Sequence, residues 1–402
     1  MTTKKTGTLC TNVTKKQSKT IQIKGGNKKL LEMSFSGGDI TSDGGVLLLR
    51  QADQELKLTN AVSKILPDPR NSSFITHSWL SMIKQRIYGI ALGYEDLNDH
   101  QSLRHDPAIQ TAVDRERALA STSTLFRMEQ KGRFFNGYYG DYCFLPLYVF
   151  CGHHLLVAYL RRSNIDGAKH AWAILSLLVK YIKKFWPNTK IIIRGDSGFC
   201  RHKMLSWCDR NEVGYYIGMA KNSSLLSLAE VYISKSEEYF SHTQNKQVVF
   251  GEVIYGAKTW DCERRIIVKA EHSEKGSNTR FVVTNSEIEA EKLYKEIYCA
   301  CGDMENRIKE HQLGLFADRA SCHEWWPNQL RLLFSGLAYI LMSFIRSHAL
   351  QDTILSSAQV DTIRLKLFKI GASIIRNTRR IRFLLSSVFP NQEIFFNALK
   401  TA

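Results

Sequence analysis

The stretch that most constrains the fold is a short apolar strand that ends in turn residues. Ile191, Ile192 and Ile193 are β-branched, and such stiff side chains favour a buried strand. Residues 195–198 read Gly-Asp-Ser-Gly, which is typical of a turn. The pattern predicts that Asp196 follows the carboxyl end of a buried strand, at the edge of an open α/β sheet where ligands usually bind. An Asx-turn or a helix cap is the alternative role for the same side chain.

The charge of the chain favours a polyanionic partner. The 402 residues are enough for two or three domains, and 44% of them are hydrophobic, as in an ordinary globular protein. The formal net charge of +17 favours nucleic acid, with a membrane surface as the competing polyanion. We see no signal peptide, and the longest apolar stretch, residues 330–344, contains Arg331 and is too short to span a bilayer. None of the nine cysteines forms a Cys-x-x-Cys pair, so we expect reduced thiols, a cytoplasmic protein and no membrane partner.

The first 130 residues divide into a basic tail and a helical region. Residues 1–33 are rich in lysine, and a tail of this kind is usually flexible. Apolar residues at helical spacing predict an all-α, DNA-binding domain over residues 34–130, with its clearest helix in residues 74–92. This region also holds a group of metal-ligand residue types whose spacing fits no standard ligand set, so we interpret them as solvated helix ends: Asp96, Asp99, His100, His105 and Asp106.

Strand and helix patterns alternate in residues 131–230 and 286–350, which predicts an α/β core. A hairpin, a helix and the strand before Asp196 follow one another, and helical spacing after residue 286 carries Glu305. The intervening residues 231–285 contain short apolar runs separated by charged turns, which predicts an antiparallel β-insertion within this core.

The C-terminal region, residues 351–402, is basic. Residues 362–367 alternate between apolar and polar side chains, which predicts a half-buried strand. A cluster of arginines follows it. A solvated face is the ordinary interpretation of such a cluster, and the net charge of the whole chain raises phosphate binding to an equal alternative. The cluster consists of Arg376, Arg379, Arg380 and Arg382.

Two carboxylates, one at a strand end and one inside a helix, can hold a divalent metal ion. Asp196 and Glu305 would offer Mg²⁺ the hard oxygen ligands that it prefers. Two such ions, roughly 3.5–4 Å apart, can activate the attacking oxygen and stabilise the leaving oxygen of a phosphodiester. Holding two ions together normally takes three carboxylates, so a third acid should lie on a neighbouring strand.

Six short sequence words are spread over nearly the whole chain beyond the basic tail. They are GDITSDGG at 38–45, YEDLNDH at 94–100, LRHDP at 103–107, GRFFNGYY at 132–139, RGDSGFCR at 194–201 and MENRIKE at 304–310. Together these words resemble the DDE-type transposases of bacterial insertion sequences, most closely the insertion sequence thirteen-eighty group. The resemblance implies an RNase H-like core in which Asp196 and Glu305 are catalytic acids that bind two Mg²⁺ ions.

The resemblance also implies a reaction and a set of partners. Active members cut DNA at the ends of their element and join the freed 3′-hydroxyl to target DNA. We therefore expect duplex DNA as the partner, both the terminal inverted repeats and the target, with the protein bound as a homodimer and associated with the bacterial nucleoid. The residues expected to contact DNA are Tyr298, Arg307, Lys309, Arg376, Arg379 and Arg380.

The chain departs from the family pattern where the first catalytic Asp is expected. In the family that Asp ends a strand between the words that correspond to residues 125–130 and 132–139, and here these words adjoin. The central strand of the sheet and its Asp are therefore predicted to be absent, and the chain to be a defective copy. The hairpin then either pairs directly with the strand before Asp196, or the sheet stays split. Asp141 is a weak candidate to replace the missing acid, because nothing places it on a central strand.

Two smaller departures lie around Glu305. Cys301 stands where the family has an Arg, and a thiol cannot replace its charge. Gln312 stands where the family has a Lys; Lys309 either compensates for it or pairs with Glu305 at i+4. Two other functions stay open: a protein that binds element ends without cutting them, and a nuclease of unrelated role that uses the same acids.

Overall fold

The protein is described from a computed structural model that covers residues 21–24, 30–34, 36–68, 70, 75–126, 134–136, 141–162, 165–299, 302–319 and 325–402. It is a mixed α/β protein that divides into two compact units. Unit 1 combines Met1–Thr122 with Ile345–Ala402, and unit 2 is Ser123–Phe344. The C-terminal region therefore belongs to the same unit as the N-terminal helices. Most of the predicted basic tail, residues 1–20, lies outside the described residues.

In chain order the α-helices are α1 (Val46–Leu56), α2 (Leu58–Ile65), α3 (Trp79–Leu92), α4 (His100–Leu103), α5 (Pro107–Ala112), α6 (Thr122–Phe126), α7 (Ala171–Phe185), α8 (His202–Arg210), α9 (Ser223–Leu228), α10 (Glu230–Thr243), α11 (Ala290–Lys292), α12 (Gly302–Lys309), α13 (Trp325–Phe344), α14 (Val360–Ile363) and α15 (Gln392–Thr401). Wider π-helical turns occur at Leu293–Tyr298, Glu310–Gly314, Ile345–Ala349 and Arg364–Phe368.

The strands are β1 (Ile21–Lys24), β2 (Leu30–Met33), β3 (Ile40–Thr41), β4 (Phe134–Asn136), β5 (Asp141–Cys151), β6 (His154–Arg162), β7 (Ile192–Gly195), β8 (Gly214–Met219), β9 (Gln247–Tyr255), β10 (Arg264–Ser273), β11 (Gly276–Ser277), β12 (Arg280–Thr284), β13 (Ala372–Arg376) and β14 (Ile381–Leu385). The hairpin β5–β6 and the strand and helix on either side of Asp196 confirm the predicted order of the core.

Helix α3 is the centre of unit 1. Ser78 caps its first turn by accepting a hydrogen bond from Ser81, and Gly93, with φ of 95°, ends it. Lys84 and Arg86 of this helix are buried together with its apolar residues. The prediction that His100 lies at a solvated helix end is wrong. It is fully buried, 3.2 Å from the side-chain nitrogen of Gln85, and burial lowers its pKa to about 3.

The GDITSDGG word joins the two ends of unit 1. The buried carboxylate of Asp43 accepts hydrogen bonds from Lys369 Nζ at 2.7 Å and from the Tyr94 hydroxyl at 2.6 Å. A Cβ atom at Gly45 would lie 2.0 Å from the carbonyl oxygen of Leu367, so only glycine allows this approach. Asp43 and Gly45 therefore hold the C-terminal segment of unit 1 in place.

The C-terminal region differs from the prediction in one element. Residues 362–367 are helical, within α14 and the π-helical turn that follows, and are not a strand. Ile363 and Leu367, four residues apart, are fully buried, so the short pattern fits a helix as well as a strand. After it, β13 pairs with β14 and with β3.

The larger sheet of unit 2 has six strands in the order β11-β10-β12-β8-β7, with β9 paired to β10. β7 and β8 are parallel, whereas β8, β12, β10 and β9 pair antiparallel. The strands predicted as a β-insertion are thus present and antiparallel, and they continue the core sheet through the β8–β12 pairing. They do not form a separate layer.

Both faces of this sheet are covered. Leu175 of α7 and Met204 of α8 pack against Ile217 on one face. Tyr294, in the π-helical turn after α11, packs against Tyr216 on the other. Since neighbouring residues of a strand point to opposite faces, β8 separates two apolar layers. Trp172 at the start of α7 and Trp186 just after its end are 39% and 62% exposed.

The hairpin β5–β6 forms a different sheet, of three strands in the order β4-β5-β6. Helix α13 covers the outer edge of β6. Gln329 accepts a hydrogen bond from the Leu160 amide at 2.6 Å, and Trp325 donates to the Leu160 carbonyl at 2.7 Å. Val149 of β5 packs against the apolar layer formed by α7 and β8. Of the two predicted outcomes for a sheet without its central strand, the structure shows the split sheet.

The prediction that the strand before Asp196 is buried is wrong. In the described part of the chain β7 pairs only with β8, and Ile192 is 54% exposed. β-Branched residues favour a strand in this segment. Its burial would require a neighbouring strand on each side, and among the described residues β7 pairs with β8 alone.

Among the described residues one helix, Trp325–Ala349, is long and apolar enough to cross a membrane by length and composition, and 67% of its most apolar window is buried inside the protein. Burial on this scale is typical of a core helix.

A matched pair of substitutions tests the position of β7. Replacement of the exposed Ile192 by Ala should lower the free energy of unfolding by less than about 1 kcal/mol. The same change at the fully buried Ile217 of β8 should lower it by about 2–5 kcal/mol. Chemical denaturation measures both values. Equal losses at the two sites would place β7 inside a sheet and contradict the structure.

Candidate functional site

Asp196 leaves the end of β7 and begins a short helical turn. Its Oδ1 atom accepts a hydrogen bond from the Gly198 amide at 2.8 Å, so the Asx-turn predicted as an alternative role is present. The side chain is exposed. One carboxylate oxygen is thus used locally, and the other is available to a ligand. The strand-end location predicted for Asp196 is confirmed.

The rest of the RGDSGFCR word holds the Asp196 turn in place. A guanidinium nitrogen of Arg194 donates to the carbonyl oxygen of Ile297 at 2.7 Å. Arg201 forms an ion pair with Asp166 at 2.9 Å, and the pKa of that carboxyl is lowered by this partner. Asp166 does not cap α7, whose N-cap residue is His170. Asp166 instead accepts from the Ala168 amide, and α7 begins later.

Tyr298 approaches the Asp196 turn through a gap left by a glycine. A Cβ atom at Gly218 of β8 would lie 2.5 Å from the Tyr298 hydroxyl, 2.9 Å from the Ser197 amide nitrogen and 3.3 Å from the Asp196 carbonyl carbon. The phenol and the Asp196 backbone therefore meet over the same glycine. Tyr298 was predicted to contact DNA; the structure places it against the strand end.

Glu305 lies on α12 and is exposed. Arg307, predicted to contact DNA, lies 3.7 Å from the buried carboxylate of Glu310. Lys309 is exposed, and in the part of the chain that the structure describes it makes no ion pair with Glu305. Cys301, the departure from the family pattern just before this helix, lies outside the described residues.

The far end of the Glu305 helix is held by a buried histidine. His311 lies between the rings of Tyr148 and Tyr339, at centroid distances of 5.3 Å and 5.7 Å, and its Nε2 atom is 3.0 Å from the Ser335 hydroxyl. Burial lowers its pKa to about 4, so the ring is neutral at pH 7. Tyr148 belongs to β5. The segment from Tyr298 to His311 therefore connects the Asp196 sheet with the hairpin.

The C-terminal arginines do not all face solvent. Arg376 donates to the Pro107 carbonyl at 2.6 Å and to Gln110 Oε1 at 3.2 Å, so it joins β13 to α5 within unit 1. Arg379 and Arg380 are exposed in the turn between β13 and β14. The spacing of the arginines in the sequence does not show that Arg376 has partners inside unit 1 while Arg379 and Arg380 face solvent.

Asp196 and Glu305 each carry carboxylate oxygens of the kind that a divalent metal ion prefers. Both residues are exposed, and the elements that carry them are joined through Tyr298. Among the described residues no group of three or more His, Cys, Asp or Glu side chains could hold a metal. Asp141, the candidate third acid, opens β5 opposite Asn136 of β4, so its strand pairs in the hairpin sheet and not with β7.

A match to a protein-family model shows which family the chain belongs to. The model of the transposase DDE domain, group 1, matches residues 23–131 and 129–401. The chain belongs to this family of DDE transposases. DDE transposases generally use divalent metal ions.

Comparisons of other kinds add little to the family match. No curated protein matches the transposase chain. Among solved structures, a cryo-EM structure of the piggyBac transposase synaptic complex with hairpin DNA matches with a TM-score of 0.37 and 11% identity, over 82% of this chain and 80% of that chain. Similarity at this level carries no conclusion about the fold.

The contact at Gly218 can be tested by its effect on stability. Gly218→Ala should lower the free energy of unfolding by about 1–3 kcal/mol, because the new methyl group overlaps the Tyr298 hydroxyl and the Ser197 amide. Tyr298→Phe in that background should restore part of the loss by removing the oxygen. The matched control is Gly167→Ala, where the nearest atom is 3.8 Å away, and it should be nearly neutral. A Gly218 variant as stable as this control would contradict the contact.

Proposed function

We propose that this transposase is an internally deleted copy from a bacterial insertion sequence, of the thirteen-eighty group, which binds element DNA but has little or no strand-transfer activity. The observation that carries the proposal is the split sheet. β7, which leads to Asp196, is an edge strand, and the hairpin β5–β6 forms a sheet of its own. With the outer edge of β6 covered by α13, the missing strand fits between β5 and β7.

Two further features support the deletion. The family match falls into two stretches that meet at residues 129–131, where the sequence lacks the expected strand. The order β6, α7, β7, α8, β8, with a Glu-bearing helix after the last strands, is the order expected of an RNase H-like core from which the first strand has been removed. The helical residues 34–130 stay a proposed DNA-binding domain.

The residues present suit one Mg²⁺ ion better than two. Asp196 and Glu305 would hold it with carboxylate oxygens. When bound, such an ion polarises a phosphoryl oxygen and lowers the pKa of coordinated water. Asp196 would be oriented by the Gly198 amide, and Tyr298 would keep the segment that carries Glu305 next to the strand end. Among the described residues no third acid joins these two, so a second ion would be held weakly and the reaction would stop before strand transfer.

The missing strand also affects stability. A central strand pairs on both sides, and each buried backbone group left unpaired costs on the order of 1–3 kcal/mol, against a total stability of about 5–15 kcal/mol. Ile192 is half exposed, so water reaches this edge and replaces part of the lost pairing. The protein folds around the gap, with Asp196 displaced from the neighbour that would complete its site.

DNA binding needs no intact active site. The net charge of +17 and the exposed arginines of the C-terminal region favour duplex DNA as the partner. The proposed duplexes are first of all the terminal inverted repeats of the element. The protein would bind them as a homodimer at the nucleoid. A catalytically inactive protein that binds element ends is the second candidate function. A nuclease of another role would cut random DNA as readily as element ends, which a cleavage assay on both substrates distinguishes.

Binding to duplex DNA should be strongly salt-dependent. Each phosphate that the protein neutralises releases counterions, so the logarithm of the association constant should fall against the logarithm of salt concentration with a slope of roughly −0.9 per contact. Fluorescence anisotropy between low and high salt measures the slope. An affinity independent of salt would contradict an electrostatic interface.

Restoring the missing segment should restore activity. In an excision assay with the element's own ends and Mg²⁺ or Mn²⁺, the natural chain should stay at background, while a version with the family's strand and Asp inserted between residues 130 and 132 should excise. The restored version carrying Glu305→Gln is the control and should be inactive. If the natural chain cuts and joins as well as the restored one, the deletion is without effect, and Asp141 becomes the first residue to mutate.

A further inference from the structure

The hairpin β13–β14 is a two-stranded ribbon whose tip is basic. Its register pairs Arg376 with Ile381 and Ile375 with Arg382. Because directly opposite residues of an antiparallel pair share a face, Ile375, Arg382 and Leu384 lie on the face turned away from the unit, and all three are exposed. The turn between the strands carries Arg379 and Arg380, also exposed.

The base of the ribbon is fixed to the body of unit 1. Arg376 binds α5 through the Pro107 carbonyl and Gln110. β13 also pairs with β3, and the Ile374 amide donates to the Asp39 carbonyl at 2.8 Å. The buried Ile374 packs beneath the strand. Only the outer part of the ribbon can contact a partner, because its base is fixed by these hydrogen bonds to α5 and β3.

The tip is ordered by its own hydrogen bonds. The side-chain oxygen of Asn377 accepts from the amides of Arg379 at 3.1 Å and Arg380 at 2.7 Å, and the Asn377 amide donates to the Arg380 carbonyl at 3.0 Å. These bonds fix the backbone that carries the two guanidinium groups. A partner would therefore meet arginines whose backbone is already in place, with little ordering left to do.

The described residues provide no carboxylate partner for the charge of the tip: none forms an ion pair with Arg379, Arg380 or Arg382. All three cations are arginines. A guanidinium offers a planar fork of donors that matches two acceptors at once, whereas lysine offers a point charge. The paired acceptors of guanine, O6 and N7, face the major groove of DNA.

We propose that the β13–β14 ribbon enters the major groove of duplex DNA, with Arg379 and Arg380 directed at base edges and Arg382 at the backbone. This inference rests on the proposed DNA-binding function and adds where base sequence is read. Strands about 4.8 Å apart fit a groove about 12 Å wide, which admits a two-stranded ribbon. The exposed Ile375 and Leu384 would lie against the sugars and the methyl groups of thymine.

The test uses the full chain and DNA selected from a pool of duplexes with a random core of about 20 base pairs, enough to span a ribbon and its flanks. Arg379→Ala and Arg380→Ala should each weaken binding to the selected duplex about 5- to 150-fold, with a much smaller loss on an unselected duplex. Arg379→Lys should lose most of this preference, because lysine keeps the charge but not the fork. Replacing guanine by 7-deazaguanine in the selected duplex should weaken binding of the natural chain, and should weaken binding of each single Ala variant less, because each variant keeps only one of the two arginines.

The control is a double variant, Lys258→Ala with Lys275→Ala, which removes two exposed positive charges far from the ribbon in sequence and should keep the preference for selected DNA. Equal losses on selected and unselected duplexes would overturn base reading and leave only phosphate contact. Losses on phosphatidylserine vesicles but not on DNA would overturn the ribbon as a DNA-binding element. If the natural chain binds no duplex at all, the proposed function fails together with this inference.

Discussion

Unit 2 depends on one pairing, the parallel ladder between β7 and β8. That ladder positions the turn of Asp196, and β8 continues through β12 and β10 into the rest of the sheet. On its other side β7 has no strand in the described part of the chain, and Ile192 is half exposed there. The hairpin β5–β6 forms a second sheet, closed at its outer edge by α13. Among the described residues the two sheets do not pair with each other, which is the arrangement that the proposed deletion of a central strand would leave.

The segment from Tyr298 to His311 is fixed at both of its ends within unit 2. Tyr298 meets the Asp196 turn over Gly218, and His311 is enclosed by Tyr148 of the hairpin and Tyr339 of α13. Glu305 lies between these two anchors. Both ends of the segment use aromatic packing and backbone contact, which need no metal ion and no third acid. Under the proposed deletion, the segment that carries Glu305 would therefore keep its position without the missing strand.

Local features could be predicted from the sequence, and distant contacts could not. The strand and turn around Asp196 and the hairpin depend on neighbouring residues, and both are present. The exposure of Ile192 depends on a partner strand, and the pairing of Asp43 with Lys369 joins residues 326 positions apart. The roles of arginines in one cluster can be distinguished only when their partners are known. Arg376, for example, binds α5. Among the six words that carry the family resemblance, GDITSDGG stabilises unit 1 and RGDSGFCR holds the site.

Residue-resolved amide hydrogen exchange across β7 and β8 tests the split sheet most directly. Successive amides of a strand point to opposite edges, so those of β7 that face away from β8 should exchange rapidly while the amides that bond to β8 stay protected. The amides of β8, which pairs on both sides, should all be protected. An alternating pattern in β7 beside uniform protection in β8 is the result that a missing central strand predicts. Uniform, equal protection of both strands would show that β7 has a second partner and would contradict the deletion.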